Sequence, residues 1–182
     1  MQYYISNLKK KKLKTKILII GDTHISSFKD LPKKSLQYIK ESDWVIHVGD
    51  YTSKNIFEGF NQLKANYFKG VYGNSDPLAI RKLLPPKIVI EISGISIGII
   101  HPESGGSEPF LEKRIIKEFR AHHVDVIAYG HSHEAKIQWV DKTLLVNPGR
   151  GYIDEFSYNP PASIAIITID KEIKAEIKEI IY

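Results

Sequence analysis

Asp22 and His24 stand two residues apart in Gly21-Asp22-Thr23-His24, directly after the apolar run Ile17-Leu18-Ile19-Ile20. Side chains of the same kind return in Gly49-Asp50, Gly73-Asn74-Ser75-Asp76, His101 and Gly130-His131-Ser132-His133. Each segment offers a side-chain oxygen or an imidazole nitrogen, the donors that hold divalent metals when no thiolate is available. The chain has no cysteine, so any metal site must come from His, Asp, Glu or Asn. Taken singly, each is an ordinary cap or turn residue. Taken together, Asp22, His24, Asp50, Asn74, His101, His131 and His133 form a mixed oxygen and nitrogen set that suits Mn²⁺, Fe²⁺, Co²⁺, Ni²⁺ or Zn²⁺. That is more than one ion takes from a protein that leaves room for water and substrate. It matches two ions roughly 3.5 to 4 Å apart sharing a bridging carboxylate.

The elements that must position these residues alternate. Lys16 to Ile20, Trp44 to Val48 and Asn66 to Tyr72 read as strands, separated by helical patterns over Lys33 to Lys40 and Asn55 to Lys64. This βαβαβ rhythm predicts a parallel sheet with helices packed on it. After Pro85-Pro86 the pattern becomes mostly β. Lys87 to Glu91 and Ile95 to Ile100 flank a tight turn at Ser93-Gly94, and a helix is predicted over Pro109 to Arg120. Strands follow at Val124 to Tyr129, Lys136 to Val140 and Thr143 to Val146, then a hairpin from Ser163 to Ile169 and Ile173 to Ile180. Two packed sheets with helices outside satisfy both halves. The candidate donors then lie just beyond strand ends, where α/β sheets bind ligands. Four of the five segments carry a glycine before the first donor, as a sharp turn or a close approach to a ligand requires.

Composition narrows the reading. At 182 residues and 42% hydrophobic, the chain suits one soluble domain with a substantial core. No apolar run approaches the roughly 18 residues of a membrane span, and no secretory leader is visible, so no membrane association and a cytoplasmic location are expected. The net charge of +5 is uneven. Residues 1–16 hold six lysines and no acid; taking those six from 26 leaves 20 basic against 21 acidic residues. Residues 1–15 are read as a basic, solvated N-terminal extension and 16–182 as the functional domain, which argues against a nucleic-acid partner.

In order, Asp-x-His, Gly-Asp, Gly-Asn-x-Asp, His and Gly-His-x-His resemble the calcineurin-like metallophosphoesterase superfamily. The short chain and Asn147-Pro148-Gly149 resemble its small stand-alone phosphodiesterases, the YfcE-like branch. The resemblance implies a four-layer α/β/β/α sandwich of two mixed sheets, with the site at one edge. It implies two divalent ions, Mn²⁺ foremost. Asp22, His24 and His133 would hold the first, Asn74, His101 and His131 the second, and Asp50 would bridge them. Hydroxide between the ions would attack the phosphorus of a small phosphodiester in line. Asp50, Asn74 and His131 would be the catalytic residues, Asn74 and Arg150 would bind substrate, and Asp76 and His47 would orient ligands. For His47, inside an apolar strand, a core histidine with satisfied hydrogen bonds is an equal reading.

The sequence departs from the family's pattern at three places. Ser75 stands where many members have a histidine thought to assist the leaving group, and a serine hydroxyl is no general acid at neutral pH. His101-Pro102 replaces His-Gly, which restricts the backbone and removes an amide donor. Arg150 follows Asn147-Pro148-Gly149 where relatives often have Ser; it suits a bidentate phosphate clamp, against the plainer reading of a solvated loop arginine. Rival functions are a non-catalytic scaffold, since the retromer scaffold subunit shares this fold, and a phosphomonoesterase or protein phosphatase. Filled ligand positions favour an enzyme, and the absence of a recognition insert favours small diesters. Tyr152, Phe156 and Tyr158 offer a patch for a homo-oligomer, or pack on the domain itself.

Overall fold

Ile17, Leu18, Ile19 and Ile20 are all fully buried because strand β1 (Thr15–Ile20) is covered on both faces. Ile17 and Ile19 point into a core between two sheets, while Leu18 and Ile20 point into a second core beneath helices. Burial of both faces is what turns an alternating strand into a continuous apolar run. The computed structural model describes residues 14–104, 108–152 and 161–180. Residues 1–13 of the proposed extension lie outside them, and β1 opens at Thr15, one residue earlier than the domain boundary read from sequence.

The chain continues through α1 (Lys33–Glu41), β2 (Trp44–His47), α2 (Lys54–Lys64), β3 (Phe68–Gly70) and α3 (Leu78–Arg81). Then come β4 (Lys87–Ile92), β5 (Ile95–Ile100), α4 (Glu108–Phe119), β6 (Val126–Tyr129), β7 (Ala135–Val140), β8 (Thr143–Pro148), β9 (Ser163–Ile169) and β10 (Ile173–Glu179). One sheet has the order β10-β9-β1-β2-β3 and the other β4-β5-β6-β8-β7. Strands β1, β2 and β3 are parallel, as are β5, β6 and β8; the other neighbours pair antiparallel, so both sheets are mixed.

Three cores fill the layers. Ile46, Ile97, Ile99, Val126, Val146 and Ile167 join Ile17 and Ile19 between the sheets. Ile39 of α1 with Ile56 and Phe60 of α2 cover the outer face of the first sheet, and Leu111, Ile115 and Phe119 of α4 cover the second against Ile127 and Leu145. The helix-sheet-sheet-helix layering inferred from sequence is therefore the fold. Local chemistry supports it. The Ser53 side chain caps α2 by accepting from Asn55 N, and the Lys64 ammonium donates to the Ser42 carbonyl just past the end of α1. Between β4 and β5, Ser93 and Gly94 both take positive φ, 53° and 79°, the conformation a two-residue hairpin turn demands. No described helix is long and apolar enough to cross a membrane.

Two segments differ from the sequence reading. The strand expected over Asn66 to Tyr72 shrinks to Phe68–Gly70, because Ala65 leaves α2 with φ 46° and residues Ala65–Tyr67 form a 3-10 turn. Helix α3, one turn long, has no apolar periodicity to reveal it and starts after Pro77, where proline fits a first turn.

Candidate metal centre

The parallel strands of both sheets end at the same edge, and the seven candidate ligands lie there. Asp22 and His24 follow β1, Asp50 follows β2, Asn74 follows β3, His101 follows β5, and His131 and His133 follow β6. The first sheet thus supplies the oxygens and one imidazole, and the second sheet supplies three imidazoles. Each of the seven has a donor atom within 4.0 Å of another's.

Two sets of donor atoms emerge. Asp22 Oδ1 lies 3.3 Å from His133 Nε2 and 4.0 Å from His24 Nε2. Asn74 Oδ1 lies 3.0 Å from His101 Nε2 and 2.8 Å from His131 Nδ1. Asp50 Oδ2 sits between the sets, 3.4 Å from His24 Nε2 and 3.6 Å from His101 Nε2. Two donors each bound at about 2.1 Å to one ion stand about 3.0 Å apart at a right angle and about 3.4 Å apart at the tetrahedral angle. The observed separations have that scale. Asp22, Asp50 and His101 also present donor atoms within 4.8 Å of one another.

Two buried donors, Asp22 Oδ1 and His24 Nε2, have no hydrogen-bond partner among the described residues. A buried polar atom left so is costly, and a cation between them is the simplest compensation. Asp22, Asp50 and His101 are fixed from behind. Asp22 Oδ2 accepts from His131 N at 3.1 Å, and Asp50 Oδ1 accepts from Ser75 N at 2.8 Å. His101 Nδ1 lies 2.8 Å from the Val48 carbonyl, so Nδ1 carries the proton and Nε2 keeps its lone pair for a metal.

Backbone strain concentrates here. Asp22, His24, Asp50, His131 and His133 have φ values of 47°, 42°, 58°, 92° and 61°, a region L-residues avoid. The preceding glycines serve approach more than turning. A Cβ on Gly73 would stand 2.1 Å from Asp50 Oδ1; only Gly49, with φ 103° and the His101 ring 2.6 Å from its virtual Cβ, also needs the conformational freedom.

Electrostatics follow from these neighbours. The Asp50 carboxylate beside His24 raises that imidazole above its ordinary value, against burial. Burial works against charged Asp50, but His24, His101 and Ser75 outweigh it and hold its carboxyl well below the usual range. Burial lowers His131, and the His101 ring adds to that. Burial raises Asp76, although three amides donate to it.

The orienting residues act through the backbone. Asp76 Oδ2 accepts from Gly73 N at 2.7 Å and Asp50 N at 3.0 Å, and its Oδ1 accepts from Thr52 N at 2.8 Å, tying two ligand loops together. His47 is fully buried, stacked on Tyr51 at 3.7 Å, and burial keeps its imidazole well below its ordinary value. Neither ring nitrogen of His47 points at a ligand side chain; they meet Gly49 N and Thr23 Oγ1. Arg150 is not the solvated loop residue of the plainer reading: it is 3% exposed, with its guanidinium 5.1 Å from the centre of the Tyr152 ring. Tyr152 in turn sets its edge against His24 at 5.6 Å. Phe156 and Tyr158 lie outside the described residues.

Sequence reasoning passed over three contributors. Asn147 Nδ2 donates to Ser132 Oγ at 2.9 Å while its Oδ1 accepts from Gly149 N, fixing the residue between His131 and His133. Arg81 of α3 donates to the carbonyls of Asn74 at 2.7 Å and Asp76 at 2.9 Å. Thr23 links the first ligand loop to Asp50 O. Asn147 was visible within Asn-Pro-Gly; Arg81 and Thr23 carried no pattern of their own.

Known proteins resemble this chain over most of its length. Residues 15–172 match the sequence model of the calcineurin-like phosphoesterase superfamily domain. A probable metallophosphoesterase of Methanocaldococcus jannaschii is 31% identical over 164 residues, covering 87% of this chain and 78% of that protein. A phosphodiesterase of the same organism is 30% identical over 155 residues, covering 76% of this chain and 86% of that protein. The structure of vacuolar protein sorting 29 from Cryptosporidium parvum superposes with a TM-score of 0.71 at 18% identity, over 91% of this chain and 97% of that one, a likeness of fold alone.

Proposed function

The chain belongs to the calcineurin-like phosphoesterase superfamily, and we propose on that premise that it hydrolyses small phosphodiesters at a centre of two divalent cations. The observation that carries this reading is Asp50 Oδ2, placed between two donor sets at 3.4 and 3.6 Å. In this reading Asp22, His24 and His133 hold one ion, Asn74, His101 and His131 hold the other, and Asp50 serves both. Mn²⁺ is the working choice for such a mixed set. Bound there, the cations would bring the acidity of water toward neutrality and offset charge on the phosphoryl oxygens.

The chain's own residues do the rest. Asp22 and Asp50 each commit one carboxylate oxygen to a backbone amide and keep the other to hold an ion, so in this reading they would be ligands and not nucleophiles. Asn74 and His131 lie together at the second donor set, where a phosphoryl oxygen would be oriented. Arg150 precedes Gly151, whose N donates to the carbonyls of Gly21 and Asp22 beside the first ligand loop, and in this reading it clamps the substrate phosphate. Ser75 supplies its amide to Asp50 and no acid to a leaving group. The named phosphodiesterase among the relatives supports the choice of diesters over monoesters.

The rival reading, a non-catalytic scaffold, draws on the likeness of fold to vacuolar protein sorting 29. The two separate on one assay, hydrolysis of bis-p-nitrophenyl phosphate by metal-stripped protein with and without Mn²⁺. Hydrolysis that requires the metal and collapses in Asn74→Ala is expected. A folded protein inactive with Mn²⁺, Ni²⁺, Co²⁺ and Zn²⁺ would favour the scaffold.

A further inference from the structure

Asp22, His24 and Asp50 belong to two loops that could move apart, and a hydrogen-bond chain runs between them. Gly49 N donates to His47 Nδ1 at 3.2 Å. That nitrogen must therefore carry a lone pair, which puts the proton of a neutral imidazole on Nε2. His47 Nε2 lies 3.3 Å from Thr23 Oγ1, so Thr23 accepts there and gives its own proton to the Asp50 carbonyl at 3.2 Å. Every donor in the chain then meets an acceptor, with Thr23 Oγ1 accepting one bond and donating the next. The same carbonyl also receives Thr23 N at 3.0 Å, and Asp22 N donates to Gly49 O at 2.9 Å.

The setting holds the ring still. His47 is fully buried, flat against Tyr51 at an interplanar angle of 16° and edge-on to Phe60 at 5.2 Å. Both loops that it joins are under backbone strain, with Asp22, His24 and Asp50 at positive φ. Residues in such conformations persist only where surrounding bonds over-determine them.

We infer that His47 and Thr23 form a positioning pair, with His47 as the Nε2-protonated tautomer, which fixes the spacing between the Asp22–His24 loop and Asp50. The pair touches neither ligand side chains nor substrate; it acts on the backbone from which Asp22, His24 and Asp50 project. The inference rests on the metal-centre reading only for what the loops are held to bind. The tautomer and the chain of bonds stand without it.

The test has two arms. In the metal-free protein, imidazole ¹⁵N chemical shifts assign the His47 tautomer, and Nε2 protonation is expected. Mn²⁺ titration calorimetry is then run on Thr23→Val, on His47→Phe, which keeps a ring on Tyr51, and on the double variant. Each single variant is expected to weaken binding about 10-fold or more, the scale of losing a partner that orients a metal ligand. The double variant should be no weaker than the poorer single one, because both break the same chain. Thr23→Ser, which keeps the hydroxyl, should recover most of what Thr23→Val loses. Protonation at Nδ1, wild-type affinity in Thr23→Val, or losses that multiply in the double variant would each overturn the pair. If His47→Phe does not fold, the milder Thr23→Val and Thr23→Ser variants decide it. A wild-type chain that binds no divalent ion would defeat the metal-centre reading instead, and the ¹⁵N result would still decide the tautomer.

Discussion

The Asp50 carboxylate lies 3.4 Å from His24 and 3.6 Å from His101, one imidazole of each donor set, and it raises the imidazole of His24. Because Asp50 holds the His24 imidazole above its ordinary value of about 6.5, the pair stabilises the metal-free protein below about pH 6.5, and this is lost as pH rises through the raised folded value. The Tm of metal-free protein should therefore fall across that window more in the wild type than in His24→Gln. Mn²⁺ affinity should run the other way and rise over the same interval, since the ring must lose its proton to bind; a titration series at fixed ionic strength checks this. Ser75 gives a second residue-scale expectation. Without an acid for the leaving group, aryl diesters should be cleaved far faster at the chemical step than alkyl diesters, and equal single-turnover rates would remove the idea. The candidate ligands could be picked out in sequence because metal chemistry restricts residue type. Thr23, Asn147 and Arg81 were not, because their hydrogen bonds join loops whose proximity only the fold creates.

Loops carry the site, and the loop after β3 is held on two sides. The loop after β3 is gripped by Asp76 below and by Arg81 of α3 behind, and Gly73 admits the Asp50 carboxylate at its entrance. Gly73→Ala should displace Asp50 Oδ1 and the carboxylate proposed to serve both ions, reducing diester hydrolysis about 10- to 100-fold while circular dichroism shows an intact fold. Unchanged activity would mean that Asp50 has room to move. Element types were mostly readable from period and punctuation, and the hairpin at Ser93-Gly94 was placed correctly. The shortened β3 and helix α3 were not readable. One hangs on the left-handed conformation of Ala65, the other is a single turn without amphipathic repeat.

Two sheets pack face to face in the whole molecule, and the site exists because the parallel strands of both run out at one edge. The inter-sheet core sets their spacing. Ile46→Ala, at a fully buried position in that core, should cost about 2 to 5 kcal/mol by the usual measure of a large-to-small core change. Denaturant unfolding would show it, and the metal content of the remaining folded protein should not change. The layered architecture was foreseeable from the switch between α/β and β rhythm. Which strands neighbour which, β9 beside β1 and β8 beside β6, was not, since pairing depends on contacts far apart in sequence. The central claim is a centre of two ions bridged by Asp50, and counting bound metal tests it most directly. Elemental analysis of metal-stripped protein reloaded with Mn²⁺ and desalted should give two ions per chain, with one remaining in Asn74→Ala and at most one in Asp50→Asn. A wild-type count of one or none in folded protein would contradict the account.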